Sequence, residues 1–325
     1  MKVAVVGGAG YIGSCCTELL LDRGVEVLVL DSLVKGYADA VDERARFEQI
    51  DLQERDRLHD VLGQEKPDGI IHFGAYSEVG ESMKHPGKYF RNNVANGLNL
   101  LDAALANGSP KIVFSSTAAV YGMPEKVPIT EDQPLVPVNP YGESKLMFER
   151  MLQWYYRIHS LPYVALRYFN AAGATEKFGE SHSPETHLIP NVLLTLLGQK
   201  EQFSLFGEDY PTQDGTCVRD YIHVVDLAEA HLCALESDVV GSFNLGSGSG
   251  YTVKEVIDTT EKVTGKKVPV KAEKRRAGDP AKLVSDSTAA QEQLGWSPKF
   301  NNLESIIDSA WRWLQKHPYG YKGSG

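Results

Sequence analysis

Two residues near the middle of the chain have the types and spacing needed for acid–base chemistry. Tyr141 and Lys145 lie four positions apart in the run NPYGESK at 139–145, a spacing that places both side chains on one face of a helix. A phenol with an ordinary pKa of about 10 is a weak base at neutral pH, but a fixed positive charge beside it favours the phenolate. The pair predicts a tyrosine base if the rest of the chain builds a site around it.

The amino terminus has the pattern of a nucleotide-binding unit. Residues 2–6 form an apolar run typical of a buried parallel strand, and glycines follow at 7, 10 and 13. Backbone nitrogens in such a turn approach a pyrophosphate closely, and the helix expected at 12–23 points its positive end at the phosphates. A second apolar run at 25–30 ends in Asp31, close to the offset of about 20 residues at which an acid binds a ribose hydroxyl. Because a carboxylate there repels a 2′-phosphate, the pattern favours NAD over NADP.

Further strands extend this unit into a sheet. Apolar runs at 69–73 and 111–115 continue the alternation of strands and helices, which predicts an α/β protein with a Rossmann-type, doubly wound parallel sheet. Ser115, Ser116 and Thr117 come at the carboxyl end of the second of these strands, where open α/β sheets bind their ligands. Their hydroxyls are candidates for orienting a substrate alcohol, although serine and threonine also begin ordinary loops.

At this point the chain resembles the extended short-chain dehydrogenase/reductases, and within them the branch of nucleotide-sugar epimerases. The glycine run and the YxxxK pair mark the superfamily, and DYPTQDGTCVRDYIH at 209–223 is far more specific to the epimerase branch. The likeness runs almost from end to end, in GGAGYIGS at 7–14, VGES at 79–82, NNV at 92–94, FSSTAAVYG at 114–122, NPYGESKLMFE at 139–149, LRYFNAAGA at 166–174, ETHLIP at 185–190, FGEDYPTQDGTCVRDYIHVVDLAEAH at 206–231, FNLGSGSGYTV at 243–253 and RRAGDPA at 275–281.

The resemblance implies reversible inversion at C4 of a UDP-hexose, UDP-glucose or UDP-galactose, through a transient 4-keto sugar and with NAD held tightly. Tyr141 would remove the proton of the C4 hydroxyl, and Lys145 would contact the nicotinamide ribose and lower the pKa of Tyr141. Thr117 matches a hydroxyl that aids proton movement, with Ser116 beside it. The positions that would bind NAD are Gly7, Gly10, Tyr11, Ile12, Gly13, Asp31, Asp51, Leu52, Phe73, Gly74, Ala75, Asn93, Ser115, Tyr141, Lys145 and Tyr168.

The same resemblance implies a second set of residues for the UDP-sugar. Arg219 and Arg276 match two diphosphate-binding arginines, whose planar, permanently charged forks suit phosphate. Asn170 and Asp279 match positions for the diphosphate and the uridine ribose. The full set expected at the substrate is Thr117, Tyr141, Asn170, His187, Leu188, Ser204, Leu205, Phe206, Arg219, Arg276 and Asp279, in which residues 204–206 match the uracil-binding segment.

Three positions depart from the usual pattern of the family. Ser77 stands where a phosphate-contacting lysine is often found, which puts the strength of NAD retention in doubt. His187 replaces a frequent asparagine, and its tautomer is not set by sequence. Leu283 matches a gate position whose bulk influences whether N-acetylated sugars fit.

Other functions remain open at the level of sequence. A 4-epimerase of another UDP-sugar, such as a UDP-N-acetylhexosamine, UDP-glucuronate or a UDP-pentose, uses the same core chemistry. A dehydratase is disfavoured, because that branch places an acidic pair after the strand-end threonine, whereas Ala118 and Ala119 follow Thr117. A noncatalytic NAD-sensing protein is the alternative from another class, and the intact Tyr141, Lys145 and Thr117 count against it.

Composition limits the classes of partner. The 325 residues are 42% hydrophobic and 23% charged, enough for a large core, and the net charge of −10 argues against nucleic acid. No secretory or transmembrane pattern is present, so the protein is expected in the cytoplasm without a membrane partner. Four cysteines lack paired spacing, and nine histidines form no HExxH-type motif, so neither a disulfide framework nor a metal site is expected.

The chain is expected to form two lobes that are not divided at a single point. An NAD-binding domain is predicted from residues 1–167 together with about 218–245, and a smaller, mixed α/β UDP-sugar-binding domain from about 168–217 together with 246–325. The helices that carry residues 90–105 and 145–157 match a four-helix seam between subunits, so the resemblance implies a homodimer.

Overall fold

The computed structural model describes residues 1–276 and 279–321. The strands are β1 Lys2–Val6, β2 Glu26–Asp31, β3 Arg46–Gln49, β4 Gly69–His72, β5 Lys111–Ser115, β6 Tyr163–Tyr168, β7 Asn170–Ala172, β8 Phe203–Phe206, β9 Val218–His223, β10 Gly241–Leu245, β11 Gly250–Thr252, β12 Val270–Glu273 and β13 Lys282–Leu283. The α-helices are α1 Tyr11–Asp22, α2 Arg55–Glu65, α3 Val79–Lys84, α4 Pro86–Tyr89, α5 Gly97–Ala106, α6 Pro140–His159, α7 Leu188–Leu196, α8 Val224–Glu236, α9 Val253–Thr264, α10 Thr288–Leu294 and α11 Leu303–Lys316.

Seven parallel strands form the main sheet, in the order β10-β6-β5-β4-β1-β2-β3. From β1 the chain runs outward through β2 and β3, and then crosses to β4 and continues outward on the other side. The order of the strands therefore reverses between β1 and β4, which is where such sheets open a ligand crevice at their carboxyl ends. The predicted doubly wound parallel sheet is confirmed.

Both faces of this sheet are buried, which explains why its strands are apolar along their whole length. Side chains of β1 alternate between the faces: Val3 and Val5 join one core cluster with α8, and Ala4 and Val6 join the other with α5 and α6. All four side chains are almost fully buried. The sheet therefore holds the residues at its strand ends in fixed positions.

Smaller sheets form the rest of the fold. β9 pairs with β7, β11 and β13, and β8 pairs with β12. The helices α7, α9 and α11 contribute to two further core clusters, and one of these clusters also takes in Tyr11 and Cys15 of α1. Strand β9, which the sequence prediction placed in the first lobe, pairs within this second sheet, whereas β10 joins the main sheet.

The region expected as one helix over 90–105 is more irregular. A π-helical segment, Phe90–Asn96, stands between α4 and α5. Such segments widen the backbone hydrogen-bond spacing and are frequent at functional sites. Here it carries Asn93, whose side chain accepts from the amide of Tyr76, donates to the Tyr76 carbonyl and donates to the Ser144 hydroxyl, each at 3.0 Å.

Among the helices within the described part of the chain, none combines the length and apolar character needed to span a bilayer.

Candidate active site

A cavity of about 540 Å³ opens at the carboxyl ends of β1, β4 and β5. It lies at the reversal of strand order, where the sheet topology places a ligand. Most of the residues expected at the cofactor line it, together with five expected at the substrate, of which Tyr141 belongs to both sets. The predicted residues on its wall are Gly7, Gly10, Tyr11, Ile12, Gly13, Asp31, Asp51, Leu52, Phe73, Gly74, Ala75, Ser115, Thr117, Tyr141, Lys145, Tyr168, Asn170, His187 and Asp279.

The turn between β1 and α1 requires glycine at two positions. Gly7 has a φ of +79°, and a Cβ there would come within 2.5 Å of the Gly74 nitrogen. A Cβ on Gly13 would lie 2.2 Å from the Gly7 carbonyl oxygen. Because real Cβ atoms do not approach so closely, side chains here would push the turn apart. Glycine allows a tight turn whose bare backbone and following helix end suit a pyrophosphate.

Asp31 lies at the end of β2 and lines the cavity. One carboxylate oxygen accepts from the Ala9 amide at 3.0 Å, and the other accepts from the Leu33 amide at 2.8 Å. Burial raises the pKa of Asp31, and these two amide hydrogen bonds oppose that rise. Each oxygen keeps a second lone pair, so the carboxylate can also accept from a ribose hydroxyl.

The Tyr141–Lys145 pair lies at the start of α6, as its spacing predicts. Asn139 caps this helix by accepting from the Gly142 amide at 2.8 Å, and Pro140 occupies the first helical position. The Lys145 ammonium donates to the carbonyl oxygen of Ser115 at 2.7 Å. The cap and this contact fix both side chains against the end of β5.

The electrostatics of the pair are set mainly by burial. Burial lowers the pKa of Lys145 to about 7, with the charge of Glu149 opposing the change. Burial raises the pKa of Tyr141, and a hydrogen bond with the Thr117 side chain lowers it. Burial therefore acts against the charged form of both side chains, and the expectation that Lys145 lowers the pKa of Tyr141 stays a prediction.

The three hydroxyl residues after β5 do not share one environment. Ser115 and Thr117 line the cavity, but the fully buried Ser116 donates its hydroxyl to Glu149. Glu149 also pairs with Arg167 at 2.6 Å. The expected role of Ser116 beside Thr117 therefore has no geometric support, since its side chain belongs to a buried ion pair.

Two other residues predicted to bind the cofactor, Tyr168 and Asn93, form hydrogen bonds with residues that line the cavity. The Tyr168 hydroxyl hydrogen-bonds to the Ser115 hydroxyl at the cavity wall. Asn93 is buried and does not line the cavity, although it was expected to bind NAD. Its hydrogen bonds to the Tyr76 backbone and to the Ser144 hydroxyl instead fix Tyr76, which does line the cavity, against α6.

Several residues expected at the nucleotide end of the substrate contact one another, and Asp279 among them lines the cavity. Arg219 pairs with Asp279, and the Arg276 guanidinium lies 4.0 Å from the centre of the Phe206 ring. The Asn170 amide donates to the Asp220 carbonyl at 2.8 Å. The predicted substrate residues that do not line the cavity itself are Leu188, Ser204, Leu205, Phe206, Arg219 and Arg276. Of these, Leu205 is buried in a core cluster, so its side chain is not free to contact a base.

Sequence reasoning missed a group of side chains at the same cavity. Glu180, His182 and Glu185 converge with His187, and one ligand-type atom of each lies within 4.8 Å of the others. Burial opposes charge on His182, but the facing carboxylates raise its pKa to about 9. The spacing ExHxxExH was the available signal. It lies in a loop, where spacing alone does not fix which side chains meet.

Two of the departures from the family pattern, Ser77 and Leu283, also lie on the cavity wall.

Comparisons with known proteins agree with this arrangement. A UDP-glucose 4-epimerase from Lacticaseibacillus casei is 49% identical over 327 residues, covering 99% of this chain and 99% of that protein. A crystal structure of a UDP-glucose 4-epimerase matches with a TM-score of 0.97 at 47% identity, covering 99% of this chain and 100% of that one. The enzyme from Bifidobacterium longum, solved with NAD⁺ and UDP, matches with a TM-score of 0.93 at 35% identity, covering 99% and 100%.

A model of the NAD dependent epimerase/dehydratase family matches residues 3–246, which span the main sheet, the glycine turn and the Tyr141–Lys145 pair. On this match and the full-length similarity to UDP-glucose 4-epimerases, the chain belongs to the NAD dependent epimerase/dehydratase family.

Proposed function

We propose that this protein interconverts UDP-glucose and UDP-galactose by inverting C4 of the sugar through a transient 4-keto intermediate, with NAD held tightly. The observation that carries the proposal is the placement of Tyr141, Thr117 and Lys145 on the wall of the cavity that also contains the glycine turn and Asp31. A proton-transfer group is thereby brought beside a dinucleotide site. The UDP-glucose 4-epimerase relatives, similar over nearly the full chain, support the same reaction.

The residues present fit NAD. The turn at Gly7 and Gly13 has no room for side chains, and Asp31 stands at the end of β2 with lone pairs available for a ribose. When bound, NAD supplies a reversible hydride acceptor for C4. Lys145, close to the end of β5, would hold the nicotinamide ribose, and Tyr168 would close the wall beside it.

Tyr141 acts on the C4 hydroxyl as the base in one direction and as the acid in the other. Burial raises the pKa of its phenol, so proton removal needs help from the surroundings. The Thr117 hydroxyl provides part of that help by hydrogen bonding to the phenol oxygen. Bound NAD⁺ would supply a second part, since a nearby positive charge favours the phenolate.

The sugar must turn over between the two hydride transfers, so the enzyme must grip the nucleotide rather than the hexose. Arg219 and Arg276 supply cations for the diphosphate, and Phe206 supplies an aromatic surface beside them. We propose that Asn170, Asp279 and His187, which line the cavity, complete the substrate site. Leu283 lies on the same wall and would set how large a C2 substituent fits.

Proton NMR of the C4 signal tests this function directly. Protein purified without added cofactor is incubated separately with UDP-galactose, UDP-N-acetylgalactosamine, UDP-xylose and UDP-glucuronate. Inversion of UDP-galactose is the expected result. The other three substrates show which sugar substituents the site accepts. Absence of inversion of every sugar, with NAD supplied, would reject the proposal and favour a noncatalytic NAD-sensing role. Inversion confined to one of the other sugars would move the assignment to that substrate.

We also propose that the protein is a homodimer. Helix α6 exposes Met147, Trp154 and Ile158, with side chains 36%, 59% and 65% accessible, at spacings that place them on one face. An apolar stripe of this kind suits a partner surface. Light scattering after size exclusion should give a dimer that Ile158→Asp converts to a monomer, while Tyr319→Asp, at another exposed position, leaves it intact. A monomeric wild type would contradict the proposal.

The compartment and the lobes are further proposals. All four cysteines carry free thiols in the described structure, which supports a reducing compartment such as the cytoplasm.

The division into an NAD-binding lobe and a UDP-sugar-binding lobe is supported by the separate sheets. The second lobe contains β8, β12 and the helices α9 and α11.

A further inference from the structure

The loop between β7 and α7 gathers four side chains whose donor atoms face one point. The Glu180 Oε1 atom lies 3.2 Å from Nδ1 of His182 and 2.6 Å from Nδ1 of His187. Glu185 lies 3.5 Å from Nδ1 of His182 through Oε2 and 3.1 Å from Nδ1 of His187 through Oε1. Each carboxylate therefore reaches both imidazoles through the same ring atom.

These distances are close to those of a tetrahedral metal site. With metal–ligand bonds of about 2.0–2.1 Å, neighbouring ligand atoms of a zinc tetrahedron lie about 3.3 Å apart. The four nitrogen–oxygen distances, which involve one oxygen of Glu180 and both oxygens of Glu185, are 2.6, 3.1, 3.2 and 3.5 Å and bracket that value. One atom from each residue lies within 4.8 Å of the rest. Small rotations of the side chains would place all four on one ion.

Protonated imidazoles can already compensate the two carboxylates, and two further observations favour a metal ion in place of those protons. The Nδ1 atom of His182 is buried and makes no hydrogen bond, although two carboxylates lie near it. The carboxylate side chains of Glu180 and Glu185 are only 7% and 5% exposed. Buried carboxylates are costly unless a positive charge or a metal compensates them, and a buried nitrogen without a partner is equally unfavourable.

We propose that Glu180, His182, Glu185 and His187 form a zinc-binding site. Imidazole nitrogen and carboxylate oxygen are both common zinc ligands, and two of each give a neutral site around a divalent ion. Four protein ligands leave no open coordination position, which is the arrangement of a structural site rather than a catalytic one. Zinc therefore holds the loop and does not activate water.

The site borders the cavity, since Glu180, His182 and His187 line its wall. The loop is tied at one end by the Tyr321 hydroxyl, which donates to the Gly179 carbonyl at 3.1 Å, and at the other end it becomes the first turn of α7. Zinc on Nδ1 of His187 leaves Nε2–H as a donor. The use of this donor rests on the proposed function, because the donor would serve the substrate diphosphate. Zinc binding itself does not rest on that function.

Zinc content and affinity test the proposal without any activity assay. Tag-free protein is stripped with EDTA, loaded with zinc, passed through gel filtration and measured by plasma mass spectrometry. Its affinity is then measured by competition with a chromophoric zinc chelator. About one zinc per chain is expected, and His182→Ala should bind zinc roughly 100-fold more weakly or worse, since the loss of outer-shell partners alone costs about 10–100-fold.

His59→Ala is the matched control. His59 is an exposed histidine on α2 that lies 3.7 Å from Asp60, and it is not part of the cluster. This variant should keep the zinc stoichiometry and affinity of the wild type. If the wild type holds no more zinc than His182→Ala, or if both histidine variants behave alike, the proposal is overturned.

Cobalt spectroscopy of the wild type decides the matter should His182→Ala fail to fold. Co²⁺ at this site should give the intense visible bands of tetrahedral coordination, displaced stoichiometrically by Zn²⁺. A pale octahedral spectrum or no binding would overturn the proposal. Because C4 inversion of UDP-galactose is measured separately, failure of the zinc site and failure of the epimerase assignment are distinguishable.

Discussion

The two sides of the cavity are built by different means. On one side, the glycine turn, Asp31 and the Tyr141–Lys145 pair are fixed by the ends of parallel strands and by the capped start of α6. On the other side, the candidate UDP-binding residues come from loops and short strands that are far apart in sequence, and they contact one another, as in the Arg219–Asp279 pair. The chemical side is buried and preorganised, whereas the anchoring side is held by contacts that a ligand can replace.

This difference teaches how one protein can bind a sugar in two orientations. Preorganised groups must keep the reacting oxygen in one place, because small displacements of the reacting atoms lower the reaction rate. The nucleotide anchor needs only to hold the diphosphate while the hexose turns over. Substitutions on the first side should therefore change turnover, and substitutions on the second side should change affinity.

The largest effect is expected for Tyr141→Phe. Removal of the phenol should lower kcat by about 10³-fold, within the range for loss of acid–base catalysis, and leave the Kd for UDP within about twofold. Steady-state NMR rates and calorimetric titration with UDP measure the two quantities, with Tyr319→Phe as an exposed control. A loss of UDP affinity in proportion to the loss of rate would place Tyr141 on the anchoring side and break the comparison.

Arg219→Ala tests the anchoring side. The KM for the UDP-sugar should rise roughly 10- to 100-fold, because a charge-assisted contact with the diphosphate is lost, while kcat stays within a few-fold. The surface variant Arg312→Ala, which removes an exposed arginine paired with Glu176, should leave both constants unchanged. A fall in kcat at unchanged KM would contradict the anchoring role.

Thr117→Val and Ser116→Ala compare two adjacent hydroxyl residues, one on the cavity wall and one in a buried ion pair. Thr117→Val removes the hydrogen bond that lowers the pKa of Tyr141, so the acidic limb of the pH–rate profile should move to higher pH and the rate should fall roughly tenfold. Ser116→Ala should leave that limb in place and instead lower the unfolding free energy by about 1 kcal/mol, because Glu149 loses a donor. Identical pH profiles for the two variants would remove Thr117 from the chemistry.

The last prediction concerns stability rather than rate, in the variant Lys145→Met. Burial lowers the pKa of Lys145 from 10.5 to about 7, so between these values the unfolded chain binds a proton that the folded chain lacks. The cost of burying the ammonium is complete below pH 7 and fades as pH rises toward 10.5. The variant should therefore have a higher Tm below pH 7, by roughly 2–4 °C per kcal/mol of cost removed, and this gain should shrink with rising pH. A gain that does not depend on pH would contradict burial of a charged lysine.

The chemical side of the cavity was the more predictable from sequence. Apolar runs and glycines located β1, β2 and β5 within a residue or two, and the Tyr141–Lys145 spacing placed both residues on the cavity wall. Strand ends converge in a parallel sheet, so local patterns there carry information about the tertiary site. The alternation of side chains at the end of β5 also explains why Ser116 does not line the cavity, since the residues on either side of it do.

The loop side was less predictable for physical reasons. An apolar run predicts a strand but not its partner, so the pairing of β9 with β7, β11 and β13 was not predictable from its sequence. The meeting of Glu180, His182, Glu185 and His187 depends on loop conformation, which no periodicity encodes. Part of the RRAGDPA run, residues 277 and 278, lies outside the described residues.

The most direct test of the central claim follows an isotope at the reacting carbon. UDP-galactose carrying deuterium at C4 is incubated with the purified protein in ordinary water, and the UDP-glucose formed is analysed by NMR. Transfer of hydride to and from a bound nicotinamide never exposes it to solvent, so the product should keep deuterium at C4 with inverted configuration. Replacement of the label by solvent protium would show inversion by deprotonation at carbon and would contradict the proposed mechanism.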